Sequence, residues 1–434
     1  MRTLRSREWM LSFTATLGMA SSIYAQDNPF VQQADAIFGT PEQCLLQQVG
    51  HQDCSLACDI PSDFGCGDAC DLADGHAHHG YLFGPEEPWD LGNVLFSPDS
   101  GWDIGGWTSW GFSTDNDGVF ATYPGHFQNN QTNLFIEKIA DGSNGIGFGG
   151  RVDVMYGTDA SNTQSFGDSY GFFDYSNNFG TYDWAIPQLY AEVAYDRLSV
   201  KIGHFYTLLG YQVVPATGNF FYSIPYTFNF GEAFTHTGAL ATYQASDNLT
   251  LYGGYTFGWD TGFEQLKQGS SFLGGASVGV TDNVTLTYIA TAGNLGWIGN
   301  GYSHSIVIDY VINDRWEYVF QSDLDTMNNS PNAAGGHYDA LGVNQYLFYT
   351  VNDTTRLGSR VEWWKCNGTS LYEMAYGLNY KPMANLTLRP EVRYNWAPSG
   401  LPTTGPLPTV TPNAATASDY KNNCIFMMDA VLTF

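Results

Sequence analysis

The sequence predicts an all-β protein, a transmembrane antiparallel β-barrel of about 16 strands with a mostly irregular N-terminal extension. Three observations predict it. The composition is poor in charge and rich in aromatic residues and glycine, segments of about ten residues alternate in hydrophobicity, and short polar turns recur along the chain.

Only 14% of the 434 residues are charged while 16% are aromatic, with 28 Tyr, 28 Phe, 12 Trp and 49 Gly. A soluble chain carries about 25% charged residues, so either most of this one is core or much of its surface faces lipid. The aromatic and glycine load favours strands over helices. After the first apolar stretch no run of about 18 apolar residues occurs, which excludes a helical membrane protein.

The N-terminus combines Arg2, Arg5 and Arg7 with an apolar stretch from Trp9 to Ala20 and the small residue Ala25. That pattern predicts an export signal over residues 1–25. Residues 26–100 contain no Lys or Arg, are acidic, and lack period-2 hydrophobicity. They are expected to form a periplasmic extension or plug, with a short helix near Pro41 to Val49. The barrel is expected over residues 101–434. Formal net charge is −27, and loss of the leader makes it more negative still. Such a chain repels nucleic acid, and any pore it forms should draw cations.

From Gly101 the pattern becomes that of membrane strands. Leu249, Leu251, Gly253, Tyr255, Phe257 and Trp259 make one apolar face, opposed by Thr250, Tyr252, Gly254 and Thr256. The same phase sets Leu386, Leu388, Val392, Tyr394 and Trp396 against Thr387, Arg389, Glu391, Arg393 and Asn395. The apolar face is expected to meet lipid, because Tyr255, Phe257, Trp259, Trp363, Tyr394 and Trp396 gather near strand ends as an interfacial girdle would.

Short turns are predicted at Asp141-Gly142-Ser143-Asn144, Tyr195-Asp196-Arg197, Ser246-Asp247-Asn248, Thr281-Asp282-Asn283, Asn313-Asp314-Arg315, Asn352-Asp353-Thr354 and Met383-Ala384-Asn385. Asp and Asn tolerate positive φ and bond locally to the backbone, as tight hairpins require. Seven such turns give fourteen strands, and a first strand near Gly105 to Thr114 with a last from Ile425 to Phe434 makes sixteen. The turns are expected at the periplasmic rim and the longer loops outside. A terminal Phe434 behind Phe426, Met428, Ala430 and Leu432 on one face suits the signal read by the outer-membrane assembly machinery.

Seven cysteines in an exported chain suggest disulfides. Cys54, Cys58, Cys66 and Cys70 are expected to form two bridges, or with His76, His78 and His79 to supply soft ligands to zinc or copper. Cys366 and Cys424 are expected in neighbouring loops, between strands thirteen and fourteen and between fifteen and sixteen, where they would pair. No cofactor is expected, and no Ser/His/Asp grouping suited to hydrolysis can be drawn from the histidines.

The stretch His204-Phe205-Tyr206, Gly210-Tyr211, Ala216 to Tyr222 and Phe234-Thr235-His236-Thr237-Gly238 resembles the OmpL-like family of putative beta-barrel porins. Tyr255 to Phe263, Gly274-Gly275 and Gly301-Tyr302-Ser303-His304-Ser305 extend the resemblance. It implies an outer-membrane porin, a channel for passive diffusion of small polar solutes and ions, without naming the solute. The alternatives are a barrel hydrolase of lipase or protease type, and a plugged structural barrel or adhesin. Outer-membrane lipids are the expected surroundings, and a homotrimer is one assembly the resemblance allows.

In such barrels the third long loop folds inward. Here it runs from Thr207 to Ala233, aromatic and nearly free of charge, with Tyr211, Asn219, Phe220, Phe221, Tyr222 and Glu232 as candidate constriction residues. Packing against the barrel wall or a neighbouring subunit is the alternative. With the apolar face in lipid, the residues expected to line the pore are Asp153, Glu192, Asp309, Glu317, Arg356, Arg360, Glu362, Arg389, Glu391 and Arg393. The four arginines are expected to form a positive ladder facing acidic groups such as Glu232, unless each simply pairs with Glu362 or Glu391 beside it.

Overall fold

The computed structural model describes residues 88–97, 100–116, 119–121, 123–265, 268–330, 336–398 and 422–434. The leader, the helix near Pro41 to Val49, Cys54, Cys58, Cys66, Cys70 and the three nearby histidines lie outside the described residues.

Sixteen antiparallel strands alternate with turns: β1 (Trp102–Ser113), β2 (Gln128–Lys138), β3 (Ile146–Gly157), β4 (Asp183–Tyr195), β5 (Leu198–Tyr206), β6 (Thr235–Ser246), β7 (Leu249–Thr256) and β8 (Ser270–Thr281), then β9 (Val284–Asn294), β10 (Asn300–Asn313), β11 (Trp316–Asn328), β12 (His337–Asn352), β13 (Thr355–Cys366), β14 (Thr369–Met383), β15 (Leu386–Trp396) and β16 (Asn423–Thr433). Each strand pairs with its sequence neighbours, and β1 pairs with β16 to close the barrel. Closure leaves no row of unpaired backbone groups, the condition for crossing hydrocarbon as strands. Phe434 extends the seam: its N–H donates to the Gly106 carbonyl at 2.9 Å, and Gly106 N–H donates back at 2.8 Å.

All seven expected short turns fall between consecutive strands, the first joining β2 to β3 and the last β14 to β15. At Tyr195-Asp196-Arg197 the aspartate takes φ 50°, the left-handed conformation that Asp tolerates. The opposite rim carries the longer connections, with one exception. Between β13 and β14 there are only Asn367 and Gly368, at φ 45° and 89°, the signature of a tight primed turn.

Three short helices are found among the described residues: α1 (Leu91–Leu95), α2 (Ala160–Thr163) and α3 (Tyr226–Gly231). None is long and apolar enough to cross a membrane. Just before α1, Trp89 and Asn385 exchange two hydrogen bonds, 2.7 and 2.8 Å, which fasten this segment to the β14–β15 turn.

The two faces of the wall separate as the alternation predicts. Leu134, Phe148, Ile202, Leu251, Tyr255, Leu347, Val361, Val392, Tyr394 and Phe426 are exposed outward. Their sequence neighbours of opposite phase, Asn133, Arg360, Glu362, Glu391, Arg393 and Asn395, are buried inward. Trp259 departs from the expected girdle. β7 ends at Thr256, and the indole is buried among Phe166, Phe234 and Trp297 in a core built from loops at the long-loop rim. The strand's alternation simply runs on into a loop that turns back over the barrel.

The expected Cys366–Cys424 bridge is also corrected. Neither cysteine is in a disulfide. Cys366 is the last residue of β13 and is buried, whereas Cys424 lies on β16 and is exposed. Strands β14 and β15 lie between β13 and β16, a separation of three strand spacings, about 14 Å, beyond the reach of a disulfide.

If the short turns mark the periplasmic rim, a cysteine placed at Asn329 will react with an impermeant maleimide on intact cells and one at Asn248 will not. The reverse labelling pattern would invert the barrel.

Candidate functional site

Residues 207–234, joining β5 to β6, run inside the barrel. From Phe220 to Phe234 every residue is buried. A loop buried in this way must find partners for its backbone groups away from water. The inward-facing wall supplies them.

The donors are taken by two glutamates. Glu391 on β15 accepts Tyr222 N–H at 2.8 Å and Ser223 N–H at 3.2 Å. Glu362 on β13 accepts Tyr226 N–H at 2.7 Å and Thr227 N–H at 2.6 Å, as well as the Thr227 hydroxyl at 2.6 Å. Tyr226 and Thr227 open α3 after Pro225, so the carboxylate satisfies first-turn N–H groups that have no partner within the helix.

The carbonyls are taken by three arginines. Arg360 donates to Ser223 O at 2.9 Å, and Arg393 to Ile224 O at 2.6 Å. Arg389 donates to Ala216 O and Asn219 O, at 2.7 and 2.5 Å, where the 3₁₀ turn Ala216–Gly218 ends. Their rings and guanidiniums also stack: Arg360 lies 4.9 Å from the Phe221 ring centre and Arg393 lies 4.8 Å from that of Tyr226.

Further anchors surround these. Gln131 on β2 bridges Val214 O and Ala216 N–H, and the Tyr222 hydroxyl donates to Asn130. Tyr338 on β12 donates to Phe230 O. Asn219 closes the loop on itself, bonding both the N–H and the carbonyl of Val213. Tyr211 N–H reaches Gln321 on β11 at 3.3 Å, and its ring packs on Tyr346 with centres 4.9 Å apart.

Glycines on the wall make room. A Cβ at Gly358 would stand 2.4 Å from Phe220, one at Gly377 3.0 Å from Phe221, and one at Gly342 2.3 Å from Thr227. These three sockets escaped the sequence reading. Their signal was present, because Gly358 shares the inward phase with Arg356 and Arg360.

All ten residues expected to line the pore face inward, but the charges do not form an open ladder. Arg356 pairs with Glu317 at 2.6 Å, and Arg389 with Asp429 at 2.6 Å. Glu373 on β14 receives both Arg360, at 2.5 Å, and Arg393, at 3.1 Å. Asp153 pairs with Arg151 at 2.6 Å. The arginines are thus neutralised by carboxylates, as in the alternative arrangement, yet their partners are neither Glu362 nor Glu391, which the loop backbone occupies. Asp429 and Glu373 lie in the inward phase of their strands and were legible there. Glu192 faces Lys201 across β4 and β5, and Asp309 sits opposite Val319, two residues from Glu317 on the same face.

Glu232 does not face the arginines either. It lies against β11, where Gln321 donates to it at 2.7 Å, with Asp323 and Asp325 beside it. Burial, followed by the neighbouring Asp323 charge, holds its carboxyl well above the usual glutamate range.

Two histidines on β5 and β6 are buried. His204 bonds the Thr237 hydroxyl at 2.7 Å beneath the Phe173 ring, and His236 bonds the Thr207 hydroxyl at 3.0 Å and Gly258 O at 3.2 Å. Among the described residues no group of three His, Cys, Asp or Glu side chains is placed to hold a metal ion.

Residues 101–434 match the family described as putative beta-barrel porin-2, OmpL-like. The outer membrane channel DcaP of Acinetobacter baumannii is similar in fold, with a TM-score of 0.51 at 11% identity over 78% of this chain and 99% of that one. OmpT of Vibrio cholerae, in its trimer form, gives 0.49 at 14% identity over 77% and 99%. A mutant of the Rh. blastica porin gives 0.49 at 13% over 77% and 100%. No curated protein sequence matches the chain.

Two predictions follow from this geometry. Gly358→Val drives two methyls into the Phe220 ring, and overpacking of this kind costs about 1–3 kcal/mol. Urea unfolding in micelles is expected to show that loss, whereas Ser359→Val, on the opposite face, is expected to leave the midpoint within error. The second concerns pH. A carboxyl whose pKa is raised in the folded state stabilises that state below its ordinary value and ceases to do so as pH rises through the raised one. The attachment of Glu232 should therefore weaken on the alkaline side, read as a fall in thermal stability that Glu232→Gln flattens. An unchanged pH profile in that variant would show that Glu232 is not the titrating group.

Proposed function

Because the chain belongs to the putative beta-barrel porin-2, OmpL-like family, we propose that it is an outer-membrane channel through which small polar solutes and ions diffuse passively. One observation carries this reading: a closed sixteen-strand wall whose outward face is apolar and whose inward face holds Arg, Glu, Asp, Gln and Asn. Lipid outside and water inside is the environment in which that division costs least.

On this reading residues 207–234 act as the constriction. They occupy lumen beside β11 to β15, so the conducting path is narrower than the barrel itself. Their fixed position differs from that of a solvated external loop, which would keep its backbone groups in water. The arginines contribute by holding the loop, while selectivity falls to the charges that retain contact with water. With a strongly acidic chain and neutralised arginines, a weak preference for cations is expected.

The trimer form of OmpT makes a homotrimer the assembly to test first. Export by residues 1–25, and recognition of the last strand and Phe434 by the assembly machinery, complete the proposed route to the outer membrane.

Planar-bilayer recordings test the function directly. Purified protein is expected to give discrete conductance steps, with a reversal potential under a salt gradient that favours cations weakly. Deleting residues 26–87 tests whether the extension plugs the lumen: larger steps would assign it that role. Silent bilayers from both forms would support the structural-barrel reading instead.

A further inference from the structure

The inward wall divides into two parts of different chemistry. On β12 to β15, Asn344, Glu362, Glu373, Arg360 and Arg393 are fully buried beneath residues 207–234. On β6 to β9 the inward phase holds buried Leu240, Leu273 and Ile289 and, beside them, Thr242, Gln244, Thr250, Tyr252, Ser277 and Thr287, each of which keeps contact with solvent. Register places them in one continuous strip, with Thr242 opposite Tyr252, Gln244 opposite Thr250, Thr250 opposite Ser277 and Ser277 opposite Thr287.

Two contacts tie the strip together. Thr250 donates to Gln244 at 2.8 Å, and Ser277 and Thr287 share a hydrogen bond of 2.9 Å. Tyr252 stands opposite Gly275, and its half-buried ring packs against the apolar cluster that includes Leu240, Leu273 and Ile289. The strip contains no ionisable group other than the Tyr252 phenol. Charged residues begin only at its margins, with Lys201 opposite Glu192 on one side and Asp309 near the Glu317–Arg356 pair on the other.

We propose that this strip on β6 to β9 is a solute-contact site that favours uncharged, hydroxyl-rich molecules of pentitol or monosaccharide size. The proposal rests on the channel reading. Each hydroxyl can both donate and accept, so a polyol exchanges its water hydrogen bonds for wall hydrogen bonds nearly one for one. An ion sliding along the same strip gives up hydration and meets no opposite charge in return.

The test uses the full-length chain in proteoliposomes, with swelling as the readout. A pentitol is expected to enter faster than the pentonate anion of the same carbon skeleton. Ser277→Cys and Thr287→Cys, modified with a cationic methanethiosulfonate, are expected to lose half or more of their pentitol rate. Asn344→Cys, placed beneath the constriction segment, is expected to keep its rate under the same reagent, measured against reagent-treated wild type. A pentitol rate equal to or below that of the anion, or a block at Asn344→Cys with none at Ser277 and Thr287, would overturn the site while leaving the channel intact. Absence of swelling with every solute would overturn the channel reading, and the site with it.

Discussion

Everything in this molecule depends on giving every backbone polar group a partner where water is excluded. In hydrocarbon the strands can do so only by pairing on both sides, which closes β1 on β16 and draws the last residue, Phe434, into the seam through Gly106. Residues 207–234 meet the same constraint inside the lumen. They have too little secondary structure to satisfy themselves, so the wall does it for them: Glu362 and Glu391 accept their N–H groups, and Arg360, Arg389 and Arg393 donate to their carbonyls.

This changes the meaning of the charges. An arginine row in a pore suggests a field acting on solutes. Here each arginine is bound at one end to a carboxylate and, for three of them, at the other to loop backbone. A buried pair of this kind contributes little net stability against a hydrophobic replacement, yet removal of one partner strands a buried charge. The wall charges therefore specify where the loop goes. The proposed solute-contact strip lies on the other side, on β6 to β9, with solvent-contacting Glu192, Lys201 and Asp309 at its margins.

Much of the fold was legible because its signals are local. The turns announce themselves through Asp and Asn, the strands through period-2 alternation, and the inward segment through aromatic residues with almost no charge. What was missed is non-local. The partner of Arg393 is Glu373 on the preceding strand, β14, offset along the ladder from its register partner Ala375, and alternation gives the face of a residue without its height in the barrel. Trp259 was misplaced because alternation continued past the end of β7. Cys366 and Cys424 were misjudged because a two-residue turn after β13 leaves no loop there for a thiol to occupy.

The central claim is that residues 207–234 are held by the wall as firmly as a strand. Hydrogen–deuterium exchange of the protein in nanodiscs measures this directly at the amides of Tyr222, Ser223, Tyr226 and Thr227. Protection comparable to that of β12 and β13 is the result this account predicts. Exchange as fast as that of a solvated loop would contradict it.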